Sequence, residues 1–462
     1  MIKPVLLWSD ALILLLLAGV AALVWLARHN DTFRAPWRQV MASRMGAATA
    51  LILAVYGAIG LLDSLHYVER LPSQAGQPAQ YSGEVRSALD ALLTPLRENV
   101  EKTYSAPFAT HLYAKETMQG ADGREIRDYP RLKYGGAHLA DPDKDFWRDV
   151  SERAGLGLLG GWVVWLLWRS WFGCQNSRVR FGLPGGACKL DEPPRRYATL
   201  LAILLSVGLL IALAPHYHVL GTDKVGQDVL YLALKSIRTG LLIGSLTTLI
   251  MLPFALGLGI AAGYFGGRID DAIQYLYTTL NSIPGVLLIA AAVLVVQVQI
   301  EAHAEFFETA AARSDVRLLA LCAILGVTGW TGLARLLRAE ALKLRELEFV
   351  QAARAFGVTD MRILLRHLLP NVMHLVLITV VIDFSGLVLA EAVLSYVGVG
   401  VDPAMTSFGN MINGARLELA REPVVWWQLA AAFVFMFVLV LAANLFADQV
   451  RDALDPKSQG RQ

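Results

Sequence analysis

The sequence predicts an all-α membrane protein, a polytopic helical bundle, and three observations carry that prediction. Of its 462 residues, 55% are hydrophobic and 17% charged, with a mean hydropathy of +0.47. A soluble core needs far less apolar sequence. The apolar residues also fall in runs near the roughly 20 residues that a helix needs to cross a hydrocarbon layer about 30 Å thick. About nine such runs occur, near 11–27, 46–62, 155–172, 197–214, 239–263, 273–298, 316–334, 372–393 and 426–447. Lastly, Lys and Arg gather in particular short segments between runs. The net charge of +2 gives no reason to expect nucleic acid as a partner.

The first run is followed by no A-x-A type cleavage site, so it is expected to stay attached. Arg28, Arg34, Arg38 and Arg44 follow it; Arg178, Arg180, Lys189, Arg195 and Arg196 follow the third run. Arg335, Arg338, Lys343, Arg345, Arg354, Arg362 and Arg366 follow the seventh. Positive residues in short loops stay inside, so all three segments are expected to be cytoplasmic. Nine crossings then put the N-terminus outside and the C-terminal Val450 to Lys457 inside. Asp63 to Ala154, between the second and third runs, falls on the outer face. Within it Val85, Leu89, Leu92, Leu96 and Val100 recur at helical spacing behind Ser82, which predicts an amphipathic helix despite Pro95. The stripe Trp162, Trp165, Trp168 and Trp171 is expected to face lipid or the interface. Pro253 and Pro284 predict kinks in the fifth and sixth runs. Cys174, Cys188 and Cys322 fit neither a disulfide framework nor a zinc spacing and are expected to be reduced thiols.

The polar stretch Glu348 to Asn371 lies between the seventh and eighth runs. Ala352 and Ala353 let a partner surface approach the helix backbone closely, and Gly357 can end that helix in a left-handed conformation. Thr359 is placed to cap a second helix, Asp360 lies in its first turn, and Pro370 starts the next membrane segment. Glu348, Arg354 and Phe356 complete the candidate surface. A plain amphipathic helix accounts for the charges but not for this spacing.

Gln351-Ala352-Ala353, three residues, Gly357 and a later Leu369-Pro370 resemble the coupling loop of ABC importer permeases. Three shorter stretches strengthen the resemblance and point to its dipeptide and oligopeptide branch. Gly221, Thr222, Asp223, Gly226 and Asp228 are similar to an outer GTDxxGxD signature, Gly263 to Asp271 to a short inner turn, and Leu389 to Ile412 to an outer loop. Gln351 replaces the usual Glu of the motif, Gln227 an Arg common before the second Asp, and His367 a usual apolar residue. At Gln351 a neutral hydrogen bond is the most that remains, and His367 is read as a polar tip at the membrane interface.

The resemblance covers roughly the last 250 residues. It implies a type I importer transmembrane domain of about six core helices at 196–455, with a cytoplasmic coupling loop at 345–370. Residues 1–195, with about three further helices and the outer segment 63–154, form an addition. The implied function is that of a permease subunit moving di- or oligopeptides across the bacterial cytoplasmic membrane. Its implied partners are a second homologous permease, two ABC ATPases and a periplasmic or extracellular substrate-binding protein. Nickel or another small solute is an alternative cargo, and a secondary transporter or a membrane scaffold is an alternative class. The expected outer segment is read as packing on the membrane surface or on the paired permease, where it shapes the docking site of the binding protein.

Asn281, Asp383 and Glu391 are candidates for a translocation path, because an intramembrane carboxylate must face a bundle interior or a water-filled cavity. The alternative is that the two carboxylates tie helices together. No GxxxxGK[ST], HExxH or GxSxG occurs. The chain is therefore expected to be non-catalytic and to carry no cofactor, with ATP and magnesium held by partner subunits.

Overall fold

A computed structural model describes residues 2–28, 31–71, 81–119, 125–181, 198–307 and 309–454. In chain order the helices are α1 (Trp8–Arg28), α2 (Asp31–Ala42), α3 (Arg44–Asp63), α4 (Ala88–Leu92), α5 (Thr94–Glu98), α6 (Pro142–Phe181), α7 (Ala198–Leu213), α8 (Val229–Phe265) and α9 (Gly267–Ser282). They continue with α10 (Gly285–Ala302), α11 (Ala310–Gly329), α12 (Thr331–Leu344), α13 (Glu348–Ala355), α14 (Asp360–Ile363), α15 (Leu369–Val397), α16 (Phe408–Arg416) and α17 (Trp427–Leu454). The strands are β1 (Ile2–Pro4), β2 (His66–Glu69), β3 (Arg86–Ser87), β4 (Glu116–Gln119) and β5 (Glu125–Asp128).

Among the described residues six helical segments are long and apolar enough to cross a membrane: Arg44–Asp63, Val229–Phe265, Gly285–Ala302, Ala310–Leu344, Asp360–Val397 and Trp427–Ala453. The expected run at 11–27 lies within α1, and the described part of the run at 197–214 forms α7. The run at 155–172 is the inner part of the long, polar-ended α6. The run at 273–298 divides at Ile283 and Pro284 into α9 and α10, whereas Pro253 sits inside a continuous α8. Pro284 has no N–H to donate to the preceding turn, and it lies where α9 has already ended.

α8 is the central post of the bundle. Its C-terminal half meets α12 through glycines: a Cβ on Gly259 would lie 2.7 Å from the Ala334 carbonyl oxygen, and one on Gly263 2.6 Å from the Ala341 Cβ. Helices in lipid associate by close packing rather than by a hydrophobic drive, so small residues at the crossing let the backbones meet. Leu333, Leu337, Ile363, Leu368 and Val372 close the same inner cluster. The middle of α8 packs Leu242 and Ile243 against Leu318, Leu321 and the buried free Cys322 of α11.

The expected boundary at residue 195 lies outside the described residues, as do Cys188 and the tail from 455; the side chain of Cys174 is likewise not described. On the N-terminal side of that boundary, α3 packs on both α8 and α17. Tyr56 joins a cluster with Ile237, Val388, Met436 and Leu439, and its hydroxyl donates to the Phe435 carbonyl at 3.0 Å. Ser43 Oγ donates to Gln449 Oε1 at 2.7 Å, and Val40 of α2 packs on Val450 and Ala453. α7 instead pairs with α6, where a Cβ on Gly157 or Gly161 would sit 2.5 Å from the Gly208 or Leu204 carbonyl oxygen.

On the face where α3 ends, β1, β2 and β3 form an antiparallel sheet, and β4 pairs with β5 as a hairpin. β1 pairing with β2 brings the N-terminus to the side of the 63–154 segment. The single amphipathic helix expected behind Ser82 does not form. Ser82 accepts from the Glu84 amide within a turn, and the helix begins six residues later as α4. Ser87 and Asp90 build a reciprocal capping box there, which outcompetes the weaker signal at Ser82. α4 stops at Leu93 and α5 restarts with Pro95 in its first turn, so Leu89 and Leu96 are buried while Leu92 is exposed.

Candidate coupling loop and outer signature loop

After α12 the chain turns through Arg345–Leu347 into α13. Val350 is the one buried side chain of that helix and joins the inner cluster with Ile363 and Tyr264. Glu348, Gln351, Ala352 and Arg354 are exposed and Ala353 is half-buried. Gln351 Nε2 donates to the Glu346 carbonyl at 3.1 Å. Phe356 ends the helix, and its side chain is 87% exposed, an unusual place for an aromatic residue.

Gly357 has φ +74°, and the amides of Phe356, Gly357 and Val358 donate back to Ala352, Arg354 and Ala353. This left-handed cap matches the expected turn. Thr359 precedes α14 in extended geometry but makes no side-chain cap bond, which corrects the expected role. Asp360 does lie in the first turn, and it accepts from the Tyr264 hydroxyl at 2.6 Å. The Arg354 guanidinium lies 4.9 Å from the Tyr264 ring centre. Tyr264, at the end of α8, is therefore gripped by both limbs of the bend.

Pro370 is the second residue of α15, as expected, but the chain does not break ahead of it. Leu364–Leu368 form a π-turn in which the Leu369 amide reaches the Leu364 carbonyl. Pro370 offers no N–H, and its ring would collide with the carbonyl four residues back; the wider turn accommodates both facts and keeps 360–397 one rod. His367 faces Phe349 with ring centres 6.1 Å apart. Beside the bend, Gly266 and Gly267 take φ +66° and +52° in the turn from α8 to α9. Arg338 of α12 clamps Asp270 there with two bonds of 2.5 and 2.6 Å. That hydrogen bonding holds the Asp270 carboxyl below its usual range, against the opposing effect of burial.

The signature loop at 221–228 is built as tightly. Asp228 accepts from the Leu230 and Tyr231 amides and so caps α8. Asp223 accepts from the Val225 and Gln227 amides at 2.9 Å. The Thr222 hydroxyl accepts from the Ser105 amide at 2.6 Å and donates to the Thr103 carbonyl at 3.0 Å, while Trp427 Nε1 donates to the Thr222 carbonyl. Gly221 and Gly226 have φ +75° and +82°, and a Cβ on Gly226 would run into the Glu101 carbonyl. The segment between α3 and α6 is thus packed on this chain's own signature loop.

His218 is the pin of that contact. Its Nδ1 lies 2.8 Å from Asp228 Oδ2 and its Nε2 3.5 Å from Glu101 Oε1, with all three groups buried. Burial pushes the ring down, but the two carboxylates outweigh it and lift His218 to about 9. Burial pushes the Glu101 carboxyl up, while His218 and the amides of Lys133, Tyr134 and Gly135 bring it down to about 2.

The three intramembrane candidates lie in separate surroundings. Asn281 is exposed at the end of α9 and accepts from the Thr331 hydroxyl at 3.2 Å. Asp383 is half-buried on α15. Glu391 is 1% exposed and accepts from the Ser395 and Ser407 hydroxyls at 2.8 Å, which ties α15 to the start of α16.

Charged residues just outside the apolar runs escaped the sequence reading. Arg238 and Lys235 stand just ahead of the run at 239–263, and Asp10 just ahead of the run at 11–27. All three are drawn into the bundle, where Arg238 pairs with Asp10 and Lys235 with Asp90 and Asp63. Their sequence signal was helical periodicity continuing past the apolar boundary.

The profile of a family described as binding-protein-dependent transport system inner membrane component matches residues 255–460, which contain the bend. Oligopeptide transport system permease protein OppC of Mycobacterium bovis (strain ATCC BAA-935 / AF2122/97) is 32% identical over 242 residues, 52% of this chain and 77% of that one. The chain belongs to this family. Dipeptide transport system permease protein DppC of Bacillus subtilis (strain 168) is 29% identical over 240 residues, 52% of this chain and 69% of its own. OppC of Haemophilus influenzae is 31% identical over 243 residues, 53% and 71% of the two chains. An inward-facing structure of the MetNI methionine ABC transporter aligns with a TM-score of 0.37 at 17% identity, over 48% of this chain and 97% of that one. As a member of a family of inner membrane transport components, the chain is a multi-pass membrane protein.

Proposed function

We infer that this chain is a permease subunit of an ATP-driven importer for di- or oligopeptides, and that the bend at 345–370 receives force from a separate ATPase. The observation that carries the reading is the pairing of an outward-facing Phe356, 87% exposed, with a Tyr264 held by Arg354 and Asp360. A surface made of Glu348, Gln351, Ala352, Ala353, Arg354 and Phe356 fits a groove on a partner. Gly357 and Asp360 fix the bend, and Leu369 and Pro370 continue it as an unbroken rod into α15. A displacement of the bend is thereby delivered to α8 and α15 together. Coupling further requires that the ATPase grip the bend differently in its nucleotide states.

The chain itself carries no reaction in this reading. ATP and magnesium reside in two ATPase subunits, a second homologous permease completes the path, and an external binding protein selects cargo. Support for a peptide cargo comes from the names of the similar OppC and DppC proteins. The bend faces the cytoplasm of a bacterial inner membrane, with the N-terminus and the 63–154 segment outside. Asp383 and Asn281 contribute to the path; Glu391, with both neighbouring hydroxyls engaged, is its scaffold.

The test is reconstitution in proteoliposomes of this chain with its partner permease, ATPases and binding protein. ATP-dependent uptake of a labelled dipeptide is expected to be lost on Phe356→Asp while the membrane chain remains folded. ATPases that co-purify undiminished with Phe356→Asp would overturn the assignment of the bend.

A further inference from the structure

The first turn of α1 joins three parts of the bundle through four buried groups. Arg238 lies nine residues into α8, about 14 Å along the helix, and is 5% exposed. A cation at that depth requires a partner, and the carboxylate it meets comes from α1: Arg238 Nη2 donates to Asp10 Oδ1 at 2.7 Å and to Ser9 Oγ at 2.8 Å. Ser9 in turn gives both its amide, at 3.0 Å, and its hydroxyl to the two oxygens of Asp315 on α11. Asp10 Oδ2 lies 2.7 Å from His66 Nδ1 on β2, and Arg238 Nε donates to Ser64 Oγ at 3.2 Å, just past α3. Ser9 and Asp10 are fully buried and Asp315 nearly so.

We propose that Ser9 and Asp10 are positioning residues for transport, a staple that holds the ends of α8 and α11 near the outer loop together so that α1, α8 and α11 move as one body. The reasoning rests on the permease reading above, in which helix ends must shift between states. Parting α8 from α11 at this end would strip Ser9 from either Arg238 or Asp315 and leave a buried charge short of a partner. The weak place in the bundle therefore lies elsewhere, and the N-terminal segment belongs to the moving part rather than being an appendage.

The experiment uses the complete complex with spin labels at Leu6, Gln227 and Ala310, which are exposed near these three ends, in a chain carrying Cys174→Ser and Cys188→Ser. Distances among the three labels are expected to change by less than about 2 Å between nucleotide-free and vanadate-trapped complexes, the scale of a packing shift. A larger change in any of the three pairs overturns the proposal, with no variant of the staple required. As a second readout, Asp10→Asn is expected to lower the ratio of binding-protein-stimulated to basal ATP hydrolysis roughly tenfold, the scale of one buried charge-assisted bond. Asp10→Glu, which keeps the charge, is expected to restore most of it. An unchanged ratio for Asp10→Asn in an assembled complex counts against the staple. Failure of the ATPases to co-purify with the unsubstituted chain would instead remove the permease reading, so the two outcomes are separable.

Discussion

His218 shows how one side chain can fix two segments more than a hundred residues apart. A ring lifted to about 9 from 6.5 contributes fully below about pH 6.5 and loses that contribution as the pH rises through about 9. Glu101, brought to about 2 from 4.5, contributes above about pH 4.5 and loses it as the pH falls through about 2. Thermal unfolding of the purified chain should therefore show a drop between pH 7 and pH 10 that His218→Gln lacks. At pH 6 that substitution leaves two buried carboxylates with backbone amides but no counter-charge and should cost about 3 kcal/mol. Gly226→Ala should cost at least about 2 kcal/mol, since it adds a left-handed penalty to a collision with the Glu101 carbonyl. A melting curve identical to that of the unsubstituted chain would contradict that account of the loop.

At the scale of the element, the bend from α13 to α14 works because its stiffness is uneven. The left-handed Gly357 sets the angle, the π-turn avoids a break before Pro370, and Tyr264 fastens both limbs to α8. Gly357→Val should cost more than about 1 kcal/mol locally, because a β-branched residue resists positive φ, and peptide uptake should fall while chain abundance holds. Tyr264→Phe removes the bond to Asp360 but keeps the ring under Arg354. Its expected signature is ATP hydrolysis that persists with reduced uptake, measured as transported peptide per ATP. An unchanged ratio would mean that Tyr264 passes no force.

Over the whole molecule, the segment between α3 and α6 and the signature loop form one folded unit. Thr103, Ser105 and Glu101 satisfy backbone and side-chain groups of 218–228 that would otherwise lack partners. Replacing 81–133 by a flexible linker is therefore expected to reduce the amount of chain in the membrane, seen by quantitative immunoblot, and not only its transport. Normal abundance with normal uptake would show that the permease bundle stands without its cover. The intimate packing of α3 on α8 and α17 leads to the same expectation for removal of residues 1–63.

Sequence alone determined the membrane class, the position of the bend and the left-handed glycines, because each depends on local features: apolar run length, helix-cap chemistry and freedom at φ. It also singled out the 221–228 loop, whose glycines and acidic caps act within a few residues of one another. Only the tertiary structure decided that the run at 273–298 divides at Pro284, that Glu391 is enclosed by hydroxyls, and that Asp10 reaches Arg238 across 228 positions. Pairings of that kind leave no periodic trace, since a buried charge chooses its counter-ion by proximity in the folded bundle rather than by spacing along the chain.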